Sequence, residues 1–485
     1  MHQHQKRSTH IARLLLVLAS LSLSLYASAG EEGTPATPPS PAFAAARAAV
    51  LRENPLLLQT IMRGGAFGGD FSAAIANKMY SRDDASAIAD ARAKLKIEAQ
   101  GPRSWLIRLP FVNVALFETD AGLVLIDSGY APAGPALRDA IKSLSKRPIH
   151  TIVFTHYHAD HAWGAWALMD LGQGGKKPRI VSTQEFIDQI DQDLRSYGLL
   201  ALRNQQQTVP RTWADVMRPD VTFHDRLSLK IGKEDFVLTH ARGETEDHLW
   251  VSVPGRRIVV SADFYQGFMP NAGNGKRRQR YPEEWALALR QMMALKPQRL
   301  LTMHGPAMVS EAEIQDKLGS HAQALESIAE QTLAGLNAGL RSDLVIDRVK
   351  LAPALAERDN LHEDYSTTKD IARMVSKQYR GWWDDLPSHW NPPTMAAQGQ
   401  TIADLAGGPR PLIAKALILS RIDPALAATL ADWAWLAAPS DPEVLQGALK
   451  VYSARISKDT TTQEALVYVE HMVHLKMQLG LQTAP

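Results

Sequence analysis

At 485 residues the chain is too long for one ordinary globular core and has room for about two to four domains of roughly 100–200 residues each. Its 53 Lys and Arg against 51 Asp and Glu, a net charge of +2, give no basis for nucleic acid or an anionic membrane surface as a partner. With no cysteine, neither a disulfide framework nor a lipid-modified cysteine is available, and 45% hydrophobic residues mark a folded chain.

Lys6 and Arg7 precede the apolar stretch from Ile11 to Leu25, which runs into Ala27-Ser28-Ala29, a small-residue cleavage pattern. Residues 1–29 therefore read as a signal peptide, and the expected location is periplasmic or secreted. No second hydrophobic segment follows, so no stable membrane span is expected after processing. Residues 30–99 read as a leader and a helical N-terminal arm: Gly33 to Pro39 is rich in proline and threonine, and the Ala-rich stretch beyond Ala42 is broken at Gly64-Gly65 and Gly68-Gly69. The pattern then changes. Ser104 to Leu109, Val112 to Glu118, Gly122 to Asp127 and Thr151 to Phe154 are short β-rich runs, with a helix predicted over Pro135 to Leu144. Sheets inside and helices outside make an α/β or α+β sandwich.

The run Thr151-Ile152-Val153-Phe154 leads into Thr155-His156-Tyr157-His158-Ala159-Asp160-His161, which places three imidazoles and a carboxylate within six consecutive positions. The end of a buried strand is a rigid place to hold side chains. Neutral imidazole and carboxylate are ligands for zinc and similar ions, and a loop turns alternate residues toward one point or two neighbouring points. Without a cation to share, such crowding is an electrostatic and desolvation cost, so the loop reads as a binuclear metal site. Isolated histidines such as His150, His224, His321, His362 and His389 read instead as ordinary structural residues.

Val124-Leu125-Ile126-Asp127-Ser128-Gly129 followed by this His-x-His-x-Asp-His loop resembles the metallo-β-lactamase superfamily, whose fold is an αβ/βα sandwich. The resemblance implies a catalytic domain over 100–325 and further ligands downstream. By position, His156, His158 and Glu244 would hold one metal and Asp160, His161 and His304 the other, with Asp263 between them. Two zinc ions are the implied cofactor, with another divalent metal as the alternative. Glu244 stands where most members have histidine, and His240 and His248 lie near enough in sequence to be rival ligands. Glutamate at that place is a feature of the alkylsulfatase branch, although Asp263 replaces the glutamate that branch uses as its bridge.

The narrower resemblance extends beyond the metal ligands. Tyr379-Arg380-Gly381-Trp382-Trp383-Asp384-Asp385-Leu386-Pro387 is similar to the Tyr-x-Gly-Trp-Phe-Asp-Gly-Asn-Pro signature of the alkylsulfatase dimerisation domain, which implies an all-α domain over 326–485 and a homodimer. In that branch an asparagine and an arginine follow the bridging acid by eight and thirteen residues; here those offsets fall on Asn271 and Lys276, with Arg277 one step on. One of the two basic residues would bind a tetrahedral anion, the arginine as a planar fork and the lysine as a point charge.

The expected activity is hydrolysis of alkyl sulfate monoesters to inorganic sulfate and an alcohol, by hydroxide generated at the two metals. Asp160, His248 and Tyr265 are the catalytic candidates, the last two as donors of a proton to the leaving alcohol. The sequence ends at Pro485, before the sterol-carrier-type domain of the full-length enzymes would fit, so small or medium alcohols are expected. The alternatives are a lactonase or another carboxylic or phospho-ester hydrolase on the same metals, or an iron-dependent redox protein of the same fold.

Overall fold

The structure is a computed structural model that describes residues 41–64, 78–196 and 212–483. The expected signal peptide lies outside the described residues. Among them, twelve strands form two sheets. The first contains β1 (Lys96–Ala99), β2 (Ser104–Arg108), β3 (Asn113–Thr119), β4 (Gly122–Ile126), β5 (Ile149–Val153), β6 (Arg179–Thr183) and β7 (Val221–Phe223), in that spatial order. The second contains β8 (Arg226–Ile231), β9 (Glu234–His240), β10 (Leu249–Val253), β11 (Ile258–Ala262) and β12 (Arg299–Thr302), in reverse order from β12 to β8.

Strand composition follows from burial. Strands β4, β10 and β11 are buried at every position, because their inner faces meet the other sheet and their outer faces are covered by helices. Their sequences, Gly-Leu-Val-Leu-Ile, Leu-Trp-Val-Ser-Val and Ile-Val-Val-Ser-Ala, are therefore mostly apolar on both faces instead of alternating. The period of two survives in the partners. Val251, Val253 and Val260 join the core between the sheets, whereas Trp250, Val259 and Leu300 join a second core beneath the helices Pro282–Ala294 and Glu311–Asn337. The predicted helix is Gly134–Leu144, and the connection from β4 to β5 is a parallel crossover through it.

The domain limits expected from the sequence do not coincide with breaks in the structure. Helix Glu311–Asn337 runs uninterrupted through residue 325, and β1 already pairs with β2 before residue 100. The described residues of the expected N-terminal arm, 41–64 and 78–99, pack on two different cores. Helices Pro41–Glu53 and Pro55–Gly64 send Val50 and Leu57 into a third core made with the helices from Met395 to Thr483, while Met79, Tyr80 and Ala91 pack on the sandwich. Lys476 pairs with Glu53, and Thr462 donates its hydroxyl to the Thr60 carbonyl across the same seam. The Tyr379 to Pro387 signature begins in the last turn of helix Thr368–Arg380, and its Trp382 lies exposed beside the exposed Trp390, ring centroids 5.4 Å apart.

Among the described residues, no helix is long and apolar enough to cross a membrane. Because Leu57 is fully buried against the C-terminal helices, Leu57→Ala is expected to lower the unfolding free energy of the helical layer by about 2–4 kcal/mol in urea titrations.

Candidate metal centre

Both sheets deliver their chemistry at one edge. The loop after β5 supplies His156, His158, Asp160 and His161, the β9–β10 connection Glu244, the end of β11 Asp263, and the end of β12 His304. The ligand atoms converge: Asp263 Oδ1 lies 3.4 Å from His161 Nε2, and Asp263 Oδ2 lies 3.2 Å from His304 Nε2 and 3.9 Å from His156 Nε2. Asp160 Oδ2 is 3.4 Å from both His161 Nε2 and His304 Nε2. Two triads have ligand atoms within 4.8 Å of one another, His156, His161 and Asp263 in one and Asp160, His161 and His304 in the other. His158 Nδ1 lies 3.0 Å from His156 Nε2 and 3.9 Å from Glu244 Oε1, so this pair borders the first triad on its open side.

The donor set fits divalent cations. Asp263 Oδ1 and His161 Nε2 are buried and have no hydrogen-bond partner among the described residues, which leaves two competent ligand atoms facing each other. Burial depresses His156 and His158 well below the ordinary imidazole range, keeping them neutral as a metal requires. Burial alone would also lower His161 and His304, but the surrounding carboxylates overcome it. His304 is pushed up to about 10 by Asp263 and Asp160, and His161 is raised by Asp263, Asp160 and Asp127. Burial would raise Asp160, and the positive charge of His161 and His304 outweighs it, so Asp160 stays ionised. It is suited to ligation and unsuited to giving up a proton.

The ligands are aimed by the residues behind them. Asp127, fully buried after β4, accepts from the Thr155 amide at 2.7 Å and the Thr155 hydroxyl at 2.9 Å, and its second oxygen lies 2.8 Å from His161 Nδ1. That contact directs His161 Nε2 toward the triads. His304 Nδ1 donates to the Phe111 carbonyl at 2.9 Å with the same effect. Asp127 and Ala262 both adopt positive φ, at 65° and 48°, an uncommon backbone for non-glycine residues that is held here where strands end at the site. Glu244 is gripped by Gln266 Nε2 at 2.9 Å, Asn271 Nδ2 at 2.7 Å and Arg280, while burial pushes it up to about 7.

Three residues proposed from the sequence are engaged elsewhere than at the open side of the ligand cluster, His248 lying behind it with its ring 4.6 Å from that of His156. Tyr265 packs against His321, ring centroids 4.6 Å apart, in the core beneath the helices, because the chain turns at Phe264 and ends the strand alternation. His248 is fully buried, stacked on Phe264, and its Nε2 accepts the Asp263 amide at 3.2 Å; burial lowers it to about 3, so it supports Asp263 in neutral form. Lys276 turns outward to pair with Glu470 in helix Thr462–Thr483. Arg277 takes the inward place, in a cleft lined also by Tyr157, His158, Glu244, Arg278 and Arg280. Of the rival ligands, His240 is engaged with the Glu246 carbonyl at 2.7 Å. Asp127, Gln266 and Arg280 carry no spacing signal as site residues; only the Asp127-Ser128-Gly129 motif hinted at the first.

Asp127→Asn removes the anionic acceptor of His161 and is expected to weaken zinc affinity about 10- to 100-fold in chelator competition, with secondary structure retained. Because the carboxylates push His304 up to about 10 and raise His161 in the metal-free cluster, zinc uptake at about pH 8 is expected to expel protons. The check is the dependence of calorimetric binding enthalpy on the ionisation heat of the buffer.

Residues 107–304 match the metallo-beta-lactamase superfamily, and residues 342–477 match the alkyl sulfatase dimerisation domain. A linear primary-alkylsulfatase of Pseudomonas sp. is 25% identical over 324 residues, 60% of this chain and 60% of the relative. An alkyl/aryl-sulfatase of Saccharomyces cerevisiae is 22% identical over 347 residues, 64% of this chain and 52% of the relative. This chain thus spans less than two thirds of the length of these relatives. The solved structure of the stereoselective inverting sec-alkylsulfatase Pisa1 from Pseudomonas sp. superposes with a TM-score of 0.70 at 18% identity, covering 91% of this chain and 78% of the other, a likeness of fold. The chain thus carries a metallo-beta-lactamase domain over residues 107–304, followed by an alkyl sulfatase dimerisation domain over residues 342–477.

Proposed function

We propose that this protein is a binuclear, zinc-dependent hydrolase of alkyl sulfate monoesters, releasing inorganic sulfate and an alcohol. The observation that carries the reading is Arg277. It lines the cleft beside His158 and Glu244, and its Nη1 is buried without a hydrogen-bond partner among the described residues. A buried guanidinium nitrogen left unpaired is costly, and the oxygens of an anionic substrate are the acceptors it lacks. The neighbouring cations are already committed, Arg278 to Gln189 and Asp193 and Arg280 to Glu244. Likeness to alkylsulfatases over the matched residues supports sulfate as the anion.

In this reading His156, His158, Asp160, His161, Glu244, Asp263 and His304 would hold two zinc ions. Bound zinc supplies Lewis acidity, which lowers the pKa of nearby water and offsets charge developing on an ester. The chain's own part is to place and to exclude. Gln266, Asn271 and Arg280 hold the Glu244 carboxylate in one orientation, Asp127 and Phe111 fix two imidazoles, and Arg277 orients the sulfate group at the mouth. The dimerisation-domain match and the exposed Trp382 and Trp390 support a homodimer. The pattern of residues 1–29 supports export to the periplasm or beyond.

The test is sulfate release from alkyl sulfates of graded chain length, before chelation, after it, and after zinc is restored. Zinc-dependent release from some members is expected, with two zinc ions per chain by metal analysis. Arg277→Ala should raise KM by about tenfold or more, ~1.4 kcal/mol of lost binding. No sulfate release from any member, hydrolysis of lactones or carboxylic esters instead, or iron as the single dominant metal would each overturn the proposal.

A further inference from the structure

Residues 266–281, between the end of β11 and helix Pro282–Ala294, carry both Asn271 and Arg277, and much of what holds them comes from the helical part of the chain. The Met269 amide donates to the His362 carbonyl at 3.1 Å, and Gln279 Nε2 donates to the Met374 carbonyl at 3.1 Å. At Gly273 the two backbones touch: a Cβ there would lie 2.2 Å from the carbonyl carbon of Asp370. Ser366 is fully buried beneath this contact, its hydroxyl 2.9 Å from the Gly273 carbonyl and 3.2 Å from Asn271 Oδ1. With Oδ1 on the hydroxyl, the Asn271 amide nitrogen faces Glu244 Oε1 at 2.7 Å. On the other side of the loop Lys276 Nζ pairs with Glu470, and the next residue, Arg277, points into the cleft.

We propose that Ser366 and Glu470 are positioning residues for the substrate anion. From within the dimerisation-type domain they hold the loop that carries Asn271, which grips Glu244, and Arg277, which lines the cleft, so that domain supports the anion pocket from behind in addition to any part in association. The inference rests on the sulfate-ester reading of the site. Ser366 fixes the loop at its buried end and the direction of the Asn271 amide. Glu470 holds Lys276 outside and so sets the side on which Arg277 emerges. A partly exposed ion pair such as Lys276 with Glu470 adds little to global stability, whereas a small displacement of a binding group costs much in affinity.

The experiment uses the full chain loaded with zinc, comparing wild type with Ser366→Ala and Glu470→Gln. KM for an alkyl sulfate and the inhibition constant of inorganic sulfate are expected to rise together by about five- to twentyfold, while kcat changes less than about threefold and zinc content is unchanged. The exchanged pair Lys276→Glu with Glu470→Lys is expected to recover most of the loss caused by Glu470→Gln, which a general destabilisation would not permit. Constants within about twofold of wild type in both variants overturn the proposal. Hydrogen exchange over residues 268–280 separates this inference from the sulfatase reading. If wild type neither hydrolyses nor binds sulfate, that reading fails. Faster exchange of the segment in the variants then still supports positioning by the helical domain, and unchanged exchange overturns it.

Discussion

The structure depends on an electrostatic debt: three carboxylates and four imidazoles brought to the edge of two sheets, nearly all of them buried. In the bare protein that debt is met by protons, held on His161 and His304 against the pull of burial because Asp160 and Asp263 are close. Divalent cations meet it better, since each satisfies several lone pairs at once without occupying an imidazole nitrogen with hydrogen. The rest of the sandwich can be understood as the means of bringing these groups together. Strand ends converge from opposite sheets, and Asp127 adopts a strained backbone conformation in order to reach behind His161.

Glu244 shows how one substitution shapes the surroundings of a site. An imidazole at that place would be neutral and need only one orienting partner, whereas a carboxylate needs donors on both oxygens. Gln266, Asn271 and Arg280 supply them, and all three belong to the loop that also carries Arg277. The glutamate therefore links metal binding to the placement of the cationic wall. Through Ser366 the link continues into the helical domain.

The ligand loop was legible in the sequence because its residues are contiguous and chemically improbable together without a metal. The strands that position it were legible too, since their β-branched runs sit between clear turns. As candidate ligands, Glu244, Asp263 and His304 required a family resemblance, because nothing local singles out one acid or histidine after a strand. The direction of loop side chains was not legible. Lys276 and Arg277 are adjacent cations, and what separates them is Glu470, 194 residues away. Tyr265 misled for a related reason: two positions after Asp263 it would share a face in a strand, but the chain has already turned. His248 offered a plausible proton donor by type alone, and only its burial against Phe264 shows it to be a support. The division of the N-terminal arm between two cores was equally hidden, as alanine-rich helices carry little pattern to say what they will pack on.

That divided arm bears on how the molecule assembles. The contact between Thr60 and Thr462 closes a span of 402 residues, and among the described residues the Val50 and Leu57 face packs in a core built with the helices from Met395 to Thr483. Loop-closure entropy makes such a contact late and slow relative to the sandwich, whose strands pair mostly with near neighbours. During synthesis the early helices therefore carry an uncovered apolar face for nearly the whole length of the chain, which makes them the segment with most to gain from a chaperone.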